Sequence, residues 1–182
     1  MNIFILDNDI KTSVQYHIDS HVVKITLEAA QLLATAARVN EILGFRPRYL
    51  EKNERLELNK HNFDFYKASY VNHPCAIWAR SSSANYEYLL DYVSELETER
   101  KHRFPKGVAV SKSYETVQRM PQKLSKANVK EPTPFVQCML DEYKGECAIE
   151  AYRCYYLAEK QFDKNGKSMA KWTNRNPPEW WF

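Results

Sequence analysis

Ser20-His21-Val22-Val23-Lys24-Ile25-Thr26-Leu27-Glu28-Ala29-Ala30-Gln31-Leu32-Leu33-Ala34-Thr35-Ala36-Ala37, continuing to Leu43, is the stretch on which the fold turns. It is rich in Ala, Leu and Glu, which are strong helix formers, and it stops at Gly44 with Pro47 beyond. The pattern predicts one long helix over 20–43. At about 100° per residue, His17, His21, Lys24, Glu28, Gln31 and Thr35 fall within an arc of roughly 80°. Almost everything off that arc is apolar, from Val22 and Ile25 to Ala36 and Ala37. An ordinary surface helix has the reverse proportions. A helix so patterned is buried on most sides. Its thin polar seam borders either an internal cleft or a solvated face carrying one weak Lys24–Glu28 pair.

Working outward, Ile3 to Leu6 reads as a single short strand that ends at Asp7-Asn8-Asp9. Asp9 caps a first helix reaching Ile18. A third helix starts at Cys75 or Ser83 and runs to Arg100, ended by Pro105 and Gly107. Residues 105–134 hold four prolines among many Lys and Ser, and read as a surface loop with one helix over Ser111–Gln118. A last helix covers Glu146–Phe162. The tail, 172–182, carries Trp172, Trp180, Trp181 and Phe182, too many aromatics to stay in water, and is expected to dock on the body. The expected architecture is one all-α domain, residues 1–182, with a marginal N-terminal strand.

Composition narrows the function. Of 182 residues, 44% are hydrophobic and 27% charged, which excludes a disordered chain. Only 4 Gly argue against a Gly-rich phosphate loop or a Rossmann fingerprint. The net charge of +3 suits an anionic partner without demanding one. No apolar run has the roughly 18–20 residues of a spanning helix, and the N-terminal apolar run is too short for a signal peptide. A soluble cytoplasmic protein with no membrane contact is expected. Cys75, Cys138, Cys147 and Cys154 form no Cys-x-x-Cys pair, so reduced thiols are expected rather than a zinc knuckle. The spacing of His17, Asp19 and His21 matches no metal motif, and neither a metal nor a cofactor is expected.

The seam holds imidazole, amine and carboxylate, the groups used in proton transfer. If it borders a cleft, Glu28, Lys24, His21 and Asp19 are the candidate catalytic residues, with Asp19 alternatively the helix N-cap. A desolvated Lys24 is a nucleophile, and a protonated Glu28 is an acid for a leaving group. Trp78-Ala79-Arg80-Ser81-Ser82-Ser83-Ala84-Asn85-Tyr86 opens the third helix. Arg80, Ser81, Ser82 and Asn85 form either an anion seat or a plain serine-capped start. Lys144, Arg153 and Lys160, interleaved with tyrosines, suit a nucleic-acid strand or a tyrosine-rich core. Trp78, Tyr86 and Trp172 are the candidate stacking platforms. His73, in a turn, reads as structural.

His17-x-Asp19-x-His21-Val22-Val23-Lys24 with Glu28 and Gln31, then Val71-Asn72-His73-Pro74 with Trp78-Ala79-Arg80, Asp141-Glu142-Tyr143-Lys144 and Pro178-Glu179-Trp180, resembles a family of small proteins encoded mainly by tailed bacteriophages. The order of features is distantly similar to the phage-type pyrimidine-dimer DNA glycosylases and AP lyases. That resemblance implies a helical protein acting on DNA in the host cytoplasm, in which an amine attacks C1′ of a damaged nucleotide and a helical glutamate assists. Glu28, or Asp19, matches the carboxylate. The family's amine is its own N-terminus after Met removal; here the large Asn2 favours retention of Met1, which leaves Lys24 as the substitute. The expected function is N-glycosylase/lyase-like processing of a modified or damaged base. The alternatives are a transferase that hypermodifies a pyrimidine in DNA and a non-catalytic phage protein that binds a host protein or a nucleotide signal.

Overall fold

The structure, a computed structural model, describes residues 2–106 and 109–182. Gly107, part of the expected stop signal, lies outside them. Seven α-helices occur among the described residues: α1 (Ile10–Gln15), α2 (Asp19–Leu43), α3 (Lys52–Glu57), α4 (Pro74–Ala79), α5 (Ser83–Arg103), α6 (Lys112–Gln118) and α7 (Ala148–Glu159), with a 3-10 turn over Asp141–Tyr143 before the last. The fold is all-α, and none of the described helices is long and apolar enough to cross a membrane.

The long helix forms as its composition dictates and stops where Gly44 takes φ 75°, a left-handed conformation that costs a side-chain-bearing residue energy. It packs along α5, with α4 and α6 also against it. Ile25, Ala29, Leu32, Leu33 and Ala36 are fully buried, as a helix covered on most sides requires. The expected third helix is two. Its break lies at Arg80–Ser82, where the Ser82 hydroxyl accepts from the Asn85 N–H at 3.0 Å and restarts the helix.

Residues 3–6 are not a strand. They are buried, but among the described residues no strand runs beside them; the Leu6 N–H donates to the Ser13 hydroxyl at 2.9 Å. The apolar run Ile3–Leu6 threads the core as a single segment, and period-2 burial is lost because every side of it meets protein. The aromatic tail docks as expected: Trp172, Trp180 and Trp181 pack on the main core, and the Trp172 indole N–H donates to the Tyr16 carbonyl at 3.0 Å.

Two arginines act as internal struts. Arg38, on α2, donates to the carbonyls of Tyr66 (2.7 Å), Leu58 (3.1 Å) and His61 (3.0 Å), and so draws the charged excursion 46–70 back onto the body. Arg80 is completely buried and donates to the carbonyls of Arg46 (2.8 Å), Val71 (2.7 Å) and Arg48 (2.6 Å). Burial pushes its guanidinium down to about 10, with Arg48 adding to the effect. Arg80→Met should lower the unfolding free energy by about 3 kcal/mol, because three carbonyls lose their donor. A denaturant midpoint unchanged from wild type would contradict this account.

Candidate functional site

A pocket of about 230 Å³ opens beside the polar seam, lined from α2 by His21, Lys24, Ile25 and Glu28. Asn2 and Phe4 of the threaded segment form its floor, and Cys138, Tyr155 and Lys160 complete the wall. Residues from four distant parts of the sequence thus meet there. The volume is below the roughly 300–1,000 Å³ of sites for drug-sized ligands, and suits a single small ring with water.

His21 is held on both sides. Its ring stacks on Phe4 (4.9 Å between centroids, 7° between planes), and its Nδ1 lies 2.7 Å from the Tyr156 hydroxyl. That hydroxyl also accepts from the Ile18 N–H at 3.1 Å. The ring lines the pocket. Burial, reinforced by the charges of His17, Lys160 and Lys24, pushes His21 down to about 3. At neutral pH the ring is uncharged.

Glu28 is the pocket's carboxylate. Its Oε2 accepts from the Asn2 N–H at 3.2 Å, and its Oε1 lies 3.4 Å from Lys24 Nζ. The Lys24 side chain is 65% exposed, so it stands at the mouth with its amine reaching inward rather than desolvated in the interior. Lys160 sits on the opposite rim, 4.8 Å above the Tyr155 ring. The mouth is thus positive on two sides around one carboxylate.

The other seam residues part company. His17 lies before α2 and is sealed in the core: its Nδ1 donates to the Ser13 carbonyl and its Nε2 meets the Tyr92 hydroxyl, both at 2.8 Å. Thr35 is buried and donates to the Ser69 carbonyl at 2.9 Å. Asp19 is neither the N-cap, which is Ile18, nor a pocket residue. Its carboxylate accepts from Arg103 (3.0 Å), the Thr173 N–H (2.9 Å) and the Thr173 hydroxyl (2.6 Å), fastening the C-terminal tail to the body.

Most of the expected nucleic-acid contacts are structural. Arg80 is the strut described above. The Ser81 hydroxyl donates to the Ile77 carbonyl at 2.7 Å, and Ser82 is a helix cap. Asn85 is buried and donates to the Trp78 carbonyl (2.8 Å) and the Thr133 hydroxyl (2.6 Å). Trp78 and Tyr86 are core residues, and Tyr86 donates to the Pro121 carbonyl at 2.8 Å. Trp172 is half-buried within the tail, edge-on to Trp181. Ser81, Ser82 and Asn85 share one reason: a helix break in the interior needs polar side chains to satisfy its own backbone, and in sequence that requirement looks like an anion seat. Arg153 donates to the Leu6 carbonyl (2.8 Å) and Asp7 (3.0 Å), and Lys144 pairs with Asp141 at 2.7 Å on the surface. Of the basic residues expected to grip a strand, only Lys160 borders the pocket.

A second constellation adjoins this wall and was invisible to spacing rules. His73, Cys75 and Cys138 present one ligand-type atom each, all within 4.8 Å of one another. The Cys75 thiol donates to Cys138 Sγ at 3.4 Å. That bond, with burial, pushes the Cys75 thiol up; the same bond pulls Cys138 down although burial opposes it. His73 Nδ1 accepts from the Cys75 N–H at 3.2 Å, so its lone pair faces the Cys75 end of the group. The available sequence signal was the His73-Pro74-Cys75 spacing; Cys138 lies 63 residues further on.

Comparison with protein-family models, with curated proteins and with solved structures found no match to this chain.

Proposed function

We propose that the pocket receives a nucleobase extruded from DNA and acts at its glycosidic carbon, in the manner of an N-glycosylase/lyase. The observation that supports this reading is the Glu28 carboxylate clamped between the Asn2 N–H and the Lys24 amine, in a single-ring pocket walled by the His21–Phe4 stack. An extruded base needs a flat face to lie against and polar groups at its edge. Here the stack and Tyr155 offer faces, and the His21 ring and Glu28 carboxylate offer polar groups at the edge. Lys24 and Lys160 offer positive charge where flanking phosphates would pass.

The step balances as follows. Glu28 Oε1 takes a proton from the Lys24 ammonium. The freed Nζ lone pair forms a bond to C1′, and the C1′–N bond breaks with its electron pair leaving on the base. Glu28 returns the proton to that base. Loss of a proton from the new C1′–N linkage, with ring opening of the sugar, gives an imine that borohydride traps as a stable amine.

The direct measurement is borohydride trapping on duplex DNA that is abasic or ultraviolet-irradiated. Wild type should form a covalent adduct, Lys24→Ala should form none, and Glu28→Gln should slow it by about 10²–10⁴-fold. Absence of any wild-type adduct on both substrates removes the lyase reading.

A further inference from the structure

We propose that His73, Cys75 and Cys138 form a binding site for a thiophilic divalent cation of the zinc class, set in the wall of the Glu28 pocket. The inference is independent of whether that pocket acts on DNA.

Geometry comes first. Two thiolates on one tetrahedral zinc, each at about 2.3 Å, stand about 3.8 Å apart. The Cys75 and Cys138 sulfurs are 3.4 Å apart, so a cation needs them to spread by only a few tenths of an ångström. A disulfide requires them to close to about 2.05 Å. The imidazole is the third ligand within the same 4.8 Å group, held in place by the 3.2 Å bond that its Nδ1 accepts from the Cys75 N–H.

The charge also balances. On binding, each thiol loses a proton, and two thiolates neutralise a dication, leaving an assembly of zero net charge in a largely buried place. Two sulfurs and an imidazole select zinc or cobalt over magnesium and calcium, which require oxygen.

The surrounding groups hold the ligands in place. Cys138 is fixed at both ends of its own peptide units: its N–H donates to the Tyr152 hydroxyl (3.2 Å), and its carbonyl accepts from Asn2 Nδ2 (2.8 Å). Cys75 sits in the first turn of α4, rigidly backed by the core. Such outer bonds orient ligands before the metal arrives. Three protein ligands leave a fourth tetrahedral position. Because Cys138 and Glu28 line one pocket, that position is supplied by water or by a substrate atom from it.

The test uses the full chain, reduced with a phosphine and stripped with a chelator, then titrated with cobalt(II) and back-titrated with zinc. One cobalt per chain is expected, with a thiolate-to-cobalt charge-transfer band and the intense visible bands of tetrahedral cobalt, both bleached by zinc. Cys138→Ser and His73→Ala should each weaken cobalt binding by about tenfold or more, and Cys138→Ser should also halve the charge-transfer band. The exposed Cys147→Ser and Cys154→Ser should change neither. Because Cys75 is buried, Cys75→Ser is read only alongside a circular-dichroism check, and the half-buried Cys138 carries the decision. The proposal is overturned by substoichiometric binding to wild type, by bands that survive Cys138→Ser, or by reduced protein that ignores cobalt yet closes a Cys75–Cys138 disulfide in air.

Discussion

Arg103→Met is expected to be among the most damaging single substitutions in this protein, lowering unfolding free energy by about 3–5 kcal/mol. Arg103 is fully buried at the end of α5 and uses its whole guanidinium. Nε donates to Glu99 (2.7 Å), one terminal nitrogen to the His17 carbonyl (2.7 Å) and Asp19 (3.0 Å), and the other to the Gln15 carbonyl (2.8 Å). Removing it strands two carbonyls and half the compensation of a buried carboxylate. Burial alone would raise the Glu99 carboxyl, but Arg175 and Arg103 together hold it below the usual carboxylate range. Arg175 reaches the same carboxylate at 2.9 and 3.0 Å, so the network also ties the tail to the body. Two measurements check this. The denaturant midpoint should fall, and limited proteolysis should now cut near 171–175, because Asp19 and Glu99 have each lost a partner that positions the tail. Adding Glu99→Gln to Arg103→Met should recover part of the loss, since the worst consequence is an underpaired buried charge. A midpoint within experimental scatter of wild type would refute the network's structural role.

The second large effect concerns acid. Burial pushes His17 down to about 4, and its bond to the Ser13 carbonyl only partly offsets that. The unfolded chain, with an ordinary histidine near 6.5, takes up the proton first. Stability is therefore complete above about pH 6.5 and is lost as pH falls toward 4. The loss attributable to His17 is roughly 3 kcal/mol, at 1.36 kcal/mol per unit of difference. His21, pushed down to about 3, extends the decline further into acid. The salt-bridged carboxylates, Glu99 among them, begin to contribute only near and below their own ordinary range, so the interval from 6.5 to 4.5 belongs to the histidines. Unfolding free energies measured across it should slope downward toward acid, and His17→Gln should flatten that slope in a difference plot. A flat wild-type profile from pH 6.5 to 4.5 would show that these rings are not held neutral.

Both effects arise from polar groups in the interior, and these were the hardest features to read in the sequence. The Asp19–Arg103 contact spans 84 residues and the Tyr156–His21 contact 135. Arg80 with three serines, in a stretch that opens a helix, has the composition of an anion seat. Its actual work, holding three loop carbonyls, depends on which loops pass behind it. The reverse holds for His21, Lys24 and Glu28, whose shared helix face is a local property. The structure puts all three on one pocket, while His17 and Thr35, on the same arc, point into protein because α2 begins at Asp19 and the chain at Ser69 covers Thr35.

What the sequence determined by itself was the helical class, the long helix with its stop at Gly44, and the docking of the aromatic tail. Helix periodicity, Gly and Pro signals and aromatic burial act over a few residues and need no knowledge of partners. Tertiary structure alone decided that Asn2, Phe4 and Cys138 complete the pocket, that Asp19 fastens the tail, and that His73, Cys75 and Cys138 converge. The reason is physical: ligand and hydrogen-bond geometry is set by distances of a few ångströms between segments separated by tens of residues, and only chain packing fixes those distances.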